Sequence, residues 1–277
     1  MSDSPPADSP LARRPLDAAG LEQALIRPTS WWQEVRVVPE TASTNADLAR
    51  LAREGAPEGT LLTTDHQTAG RGRLDRTWEM PRYSALAVSV LVRPRIDGYR
   101  WTWLPLLTGA AVVATVRQAG VVAQLKWPND VVVEDRKLAG ILVERVDTPT
   151  GPAAVVGCGI NVSTTPEEIG VPNATSLTNE GSPTAERTGL LSGFAAAFEA
   201  LYVPWADAGG DPDIGIRQAY ERSSATLGRE VSVELPDGQR IEGEAVGLDD
   251  SGRLEISVNG EVTTVSAGDI THLRSRA

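Results

Sequence analysis

The sequence predicts an α+β protein, with a mixed or antiparallel central sheet carrying helices and a small β-barrel at the C-terminal end. Three observations point there. Short β-branched runs separated by turn residues fill Thr60 to Ile160. One long apolar segment, Trp103–Gln118, interrupts them with helical character. Beyond residue 224 the texture changes to short alternating strands divided by Pro236-Asp237-Gly238, Asp249-Asp250-Ser251-Gly252 and Asn259-Gly260, all turn formers.

In chain order, residues 1–20 are expected to form a disordered tail, rich in Ser, Pro and Asp. A catalytic domain over 21–223 and a small barrel over 224–277 follow. A short helix is expected at Leu21–Ile26 and a strand at Val35–Val38. Ser43-Thr44-Asn45 precedes a helical pattern, Ala46–Arg53, with Asp47 completing a capping box with Thr44. Expected strands are Thr60–Asp65, Ala85–Val92, Ala123–Lys126, Val131–Glu134, Leu138–Arg145 and Ala154–Cys158. The polar link Asp135-Arg136-Lys137 makes a hairpin of two of them. Helices are expected at Thr184–Tyr202 and Ile214–Arg222. The barrel strands are Val231–Leu235, Arg240–Leu248, Leu254–Val258 and Val262–Ser266.

The 277 residues are 41% hydrophobic and 23% charged, ordinary values for a soluble globular chain. One cysteine, Cys158, excludes an intramolecular disulfide and a cysteine-based zinc site. Two histidines, His66 and His272, make a histidine metal site a poor expectation. A net charge of −11 disfavours general nucleic-acid binding. No secretory pattern or membrane span is evident, so the expected compartment is the cytoplasm, with neither DNA nor membrane as partner.

Four segments carry chemistry. Gln67-Thr68-Ala69-Gly70-Arg71-Gly72-Arg73-Leu74-Asp75-Arg76-Thr77-Trp78 combines glycines that free backbone N–H groups with guanidiniums suited to an anion. The competing reading is a solvated basic turn; neither a P-loop nor a dinucleotide fingerprint is present. Lys126-Trp127-Pro128-Asn129-Asp130 bends at Pro128. Lys137 then stands at the mouth of the apolar strand Leu138-Ala139-Gly140-Ile141-Leu142-Val143-Glu144, placed either to neutralise an anion or simply in water. Gly157-Cys158-Gly159-Ile160-Asn161-Val162 invites a close ligand or backbone, with Asn161 as a donor and Cys158 as a packed residue rather than a nucleophile. Ser43-Thr44-Asn45 caps a helix and could also meet a ligand.

In this order the segments resemble the biotin–protein ligase family over about residues 40–275. The resemblance implies a class II synthetase/biotin ligase-like catalytic fold and an SH3-like C-terminal barrel. It implies activation of biotin by ATP and Mg²⁺ to biotinyl-5′-AMP, then transfer to a lysine of a biotin carboxyl carrier domain, with no tightly bound prosthetic group. By similarity Arg73 and Lys137 are catalytic. Ser43, Thr44, Asn45, Gln67, Gly70, Arg71, Gly72, Arg73, Lys137, Gly140 and Gly159 would meet biotin. Arg71, Arg73, Arg76, Trp78, Asn129 and Asn161 would meet the nucleotide, and Asp130 the Mg²⁺. Asp75 departs from the family's usual glycine. The stretch before Ser43 is too short for the DNA-binding domain of bifunctional members. Lipoate–protein ligases or octanoyl transferases are the nearest rivals, and a non-catalytic, ligand-responsive regulator is a third. A monomer or a homodimer fits equally.

Overall fold

The computed structural model describes residues 13–73, 76–169, 171, 173–235, 238–266 and 268–273. Asp75, the departure noted above, and residues 1–12 of the expected tail lie outside them.

In chain order the helices are α1 (Ala18–Leu25), α2 (Thr44–Arg53), α3 (Trp103–Gln118), α4 (Pro166–Ile169), α5 (Arg187–Asp207) and α6 (Ile216–Glu221). The catalytic-region strands are β1 (Glu34–Val38), β2 (Thr60–Thr64), β3 (Gln67–Arg71), β4 (Thr77–Met80), β5 (Ala85–Val92), β6 (Gln124–Lys126), β7 (Asp130–Val133), β8 (Arg136–Thr148) and β9 (Gly151–Asn161). Those of the small domain are β10 (Glu230–Glu234), β11 (Arg240–Leu248), β12 (Leu254–Val258), β13 (Glu261–Val265) and β14 (Asp269–His272).

Among the described residues a seven-stranded sheet runs β1-β2-β5-β9-β8-β7-β6. The β1–β2 pair is parallel and the remaining pairs are antiparallel, so the sheet is mixed as expected. A strand buried on both faces carries two kinds of side chain. On β5, Leu86, Val88, Val90 and Val92 join the main core with α3 and α5, while Leu91 packs with Leu48 and Leu51 of α2. Helix α3 is buried almost all round, which explains its unbroken apolar sequence. Its Pro105 is tolerated in the first turn, where no intrahelical N–H bond is lost. No described helix is long and apolar enough to cross a membrane.

Several elements differ from the sequence reading. Residues 13–20, expected in the disordered tail, are ordered: Leu16 is buried, Asp17 caps α1, and Arg13 pairs with Glu168. Ser43, not Thr44, caps α2 by accepting from Ala46 N at 3.4 Å, and Asp47 instead accepts from Thr41 Oγ1 at 2.5 Å. Helix α5 runs through Pro204 to Asp207 because fully buried Trp205 holds its last turn in the core. The arginine segment, read as a loop, begins and ends in a two-stranded ribbon, β3 with β4. The β7–β8 turn falls at Glu134-Asp135, Glu134 having φ 56°, and Arg136 and Lys137 already belong to β8.

The small domain is one antiparallel sheet, ordered β13-β12-β11-β10-β14. Its β14 was missed, since four residues beside a glycine carry little strand signal. Its turn at residues 249–252 is clamped onto the larger domain. Trp103 Nε1 donates to Asp250 O at 2.9 Å and Trp127 Nε1 to Gly252 O at 3.2 Å.

Candidate active site

Register builds the floor of the site. Ser89 pairs with Gly157, Ala87 with Gly159, and Gly159 in turn with Gly140. Directly opposed residues share a face, so three neighbouring strands turn small residues to the same side. Above them opens a cavity of about 730 Å³. Every residue that the sequence assigned to the site lines it except Gly70. Gly70 stands aside instead: a side chain there would collide with Gln67 and with Trp78 O.

At one end the cap of α2 meets β3. Gln67 Oε1 accepts from Thr44 N at 3.0 Å and from Thr44 Oγ1 at 3.2 Å, which leaves its amide nitrogen to donate to a ligand. Ser89 Oγ lies 2.6 Å from Asn45 Oδ1 and 2.8 Å from Thr44 Oγ1. Ser43, Thr44, Asn45 and Gln67 are all buried. These are neutral hydrogen-bonding groups, suited to a compact uncharged head group.

At the other end stand two cations held by adjacent residues. Arg73 Nη1 donates to Asn129 Oδ1 at 3.0 Å, and Lys137 Nζ lies 2.7 Å from Asp130 Oδ1. Asn129 is itself fixed, its Nδ2 on Ile141 O and its O on Ile141 N, both at 2.9 Å. The turn that presents both residues contains a cis Trp127–Pro128 bond. Trp78 lies between the two ends. Its indole covers Gly159, where a methyl group would sit 2.6 Å from the ring, and Lys137 Nζ is 5.9 Å from its centroid. The expectation that Trp78 covers a nucleotide base thus meets an indole packed on the sheet floor.

Other assignments shift likewise. Arg71 is tied to Glu144, 3.2 Å away, rather than standing free, and Arg76 pairs with Asp269 of β14. Asn161 spends its amide on Thr175 O at 2.9 Å. Gly72 lines the cavity and its N–H is turned to Arg76 O at 2.6 Å. Burial pushes the Cys158 thiol up to about 12, so it is a packed thiol and not a nucleophile. Among the described residues no group of three or more His, Cys, Asp or Glu could hold a metal ion.

Sequence reasoning missed Ser89, Glu144, Lys126 and the residues of the small domain that reach the cavity, Gly268, Asp269 and Ile270. Ser89 and Glu144 did leave a signal, as polar residues inside apolar strands. Gly268 to Ile270 left none, because their approach depends on how the small domain docks.

Residues 36–161 match the model of the biotin/lipoate A/B protein ligase family, which by itself leaves both cofactors open. Residues 226–273 match the biotin protein ligase C-terminal domain. The chain is 41% identical to the biotin–[acetyl-CoA-carboxylase] ligase of Mycobacterium tuberculosis, over 95% of this chain and 97% of that protein. The chain belongs to the biotin–protein ligase family. Among other members of that family, the bifunctional ligase/repressor of Bacillus subtilis is 31% identical over 83% of this chain and 71% of its own length. The biotin protein ligase of Aquifex aeolicus, solved in complex with biotin and ATP, superposes with a TM-score of 0.74. It is 27% identical, covering 88% of this chain and all of that one. In this ligase fold the C-terminal domain therefore stands beside the cavity as part of its wall, with Asp269 at the rim.

Proposed function

We propose that this chain activates biotin with ATP and passes the biotinyl group to a lysine of a biotin carboxyl carrier domain, acting in the cytosol. The observation that carries the reading is the pairing of Arg73 with Asn129 and of Lys137 with Asp130, side by side at one end of a glycine floor. The opposite end offers only neutral partners, Thr44 and Gln67, for the ureido head. Residues 21–223 serve as the catalytic domain, and 224–277 as the small domain that completes its wall.

In the first step a biotin carboxylate oxygen forms a bond to the α-phosphorus of ATP, and the bond to pyrophosphate breaks. Two anions must meet, so positive charge has to offset their repulsion. Arg73 and Lys137 stand where that charge is required; a substrate anion would draw each from its present neutral or acidic partner. In the second step the lysine amine attacks the acyl carbon and AMP leaves. No covalent bond to the enzyme is required, and the unreactive Cys158 fits that. Trp78 would shield the anhydride from water.

Mg²⁺ is read as arriving with ATP. Such an ion takes one or two carboxylates and completes its shell with phosphate oxygens and water, so the lone Asp130 carboxylate at the wall fits it. It would neutralise charge on the phosphates.

The deciding experiment supplies labelled biotin or labelled lipoate, with ATP and a carrier domain. Label should enter the carrier from biotin alone. Transfer of lipoate instead would move the chain to the rival activity. Binding of biotin without biotin-dependent pyrophosphate exchange would make it a regulator.

A further inference from the structure

Glu144 has no part in the scheme above, yet its carboxylate touches two of the residues that shape the head-group end. It follows Gly140 and Leu142 on the cavity face of β8. One oxygen accepts from Asn45 Nδ2 at 2.7 Å, and the other lies 3.2 Å from Arg71 Nη2. Asn45 also donates to Leu142 O at 3.2 Å, and its Oδ1 receives Ser89. Its carboxamide is thus engaged at both ends, and it fills the space beside Gly157, where any side chain would strike it. Arg71 comes from β3, the strand that begins with Gln67. A single carboxylate therefore joins the start of α2 to the strand presenting Gln67.

We propose that Glu144 is a positioning residue for the biotin head-group end, orienting Asn45 and clamping Arg71. Arg71 is then a strut of that end, and the anion chemistry belongs to Arg73 and Lys137. This rests on the biotin–ligase reading. Two physical arguments support it. Glu144 offsets the charge of Arg71, which reduces the pull of that guanidinium on a phosphate or carboxylate. Glu144 also lies four residues along β8 from Gly140, about 13 Å at strand spacing, so Arg71 is held toward the end away from Lys137 and Asp130. A free arginine at the head-group end would attract a second anion there. A neutralised one leaves a site for an uncharged head. The pair is half exposed, so its effect falls on placement more than on stability.

The test uses the full chain and biotin-dependent pyrophosphate exchange. Absence of exchange in the wild type would fail the functional reading. With an active wild type, Glu144→Ala should raise KM for biotin about tenfold or more, while kcat and KM for ATP stay within roughly threefold. Glu144→Gln keeps an acceptor for Asn45 but loses the charge, and should fall between. Arg71→Ala should also act on KM for biotin. The double variant should be no worse than about twofold beyond the worse single one, because both act through one contact. If Glu144→Ala does not fold, Glu144→Gln with Arg71→Ala gives the same cycle. A biotin KM within twofold of wild type in the position-144 variants would overturn the proposal. So would a roughly hundredfold loss of kcat in Arg71→Ala at unchanged biotin KM, or additive effects in the double variant.

Discussion

Lys137 Nζ and Asp130 Oδ1 face each other at 2.7 Å across the β7–β8 pair, at the end of the glycine floor. The lysine thus waits in the site already desolvated on one side and pointed at a carboxylate. Replacing that carboxylate by a substrate anion requires no new backbone geometry. Lys137→Ala should reduce biotin-dependent pyrophosphate exchange by roughly 10² to 10³, the effect of removing one charge-stabilising donor. Wild-type exchange in that variant would take Lys137 out of the mechanism.

Arg73 is held by Asn129 at 3.0 Å and closes the site from the arginine segment. Arg73→Gly removes that tether and gives the backbone more freedom. Biotinyl-AMP should then escape, which is measured as free biotinyl-AMP and as labelling of lysines on a bystander protein. Release no faster than wild type would contradict the role.

Gly159 has no room for a side chain, since a methyl group would sit 2.6 Å from the Trp78 indole. Gly159→Ala should displace that ring and weaken biotin binding by about tenfold, with little change in unfolding midpoint. Isothermal titration with biotin reads the first and urea unfolding the second. Unchanged affinity would show that the indole yields without consequence for the ligand.

Arg187 at the start of α5 and Asp65 after β2 form an ion pair whose side chains are 5% and 8% exposed. Arg187 also donates to Ala85 O and Arg14 O, and Asp65 accepts from Leu16 N at 3.0 Å. Arg187→Ala leaves a buried carboxylate uncompensated and should cost about 3–5 kcal/mol. Urea unfolding checks it; a loss near zero would mean that water enters the site.

His272 of β14 sits between Thr226 Oγ1 at 3.3 Å, Asp135 Oδ1 at 3.5 Å and Arg229 Nη1 at 3.4 Å. Burial holds its pKa below the usual 6.5; Lys126 and Arg229 push the same way, and Asp135 opposes them. The folded state therefore prefers the neutral ring. Its contribution is fully present above the unfolded pKa and is lost as pH falls from about 6.5 toward the lower folded value. Between about pH 7.5 and pH 5.5, Tm should fall further in the wild type than in His272→Gln. Equal falls would assign the acid sensitivity elsewhere.

Local pattern determined much of this protein. The β5 and α3 spans follow directly from runs of apolar residues, because a segment buried on all sides needs no partner to reveal itself. The ordered motifs named the family and nearly all cavity-lining positions, since glycine, arginine and lysine are each required there for a reason that backbone and charge impose. Tertiary structure decided what each residue does. The register Ser89–Gly157 and the α2 cap together turn Asn45 into a buttress, and the packing of Trp78 on Gly159 follows from the β5–β9–β8 pairing. The fate of the three arginines was equally invisible: Glu144, Asn129 and Asp269 are separated from them by 56 to 193 residues. Charge partners that distant in sequence are chosen by strand order and domain docking, which no local run of residues encodes.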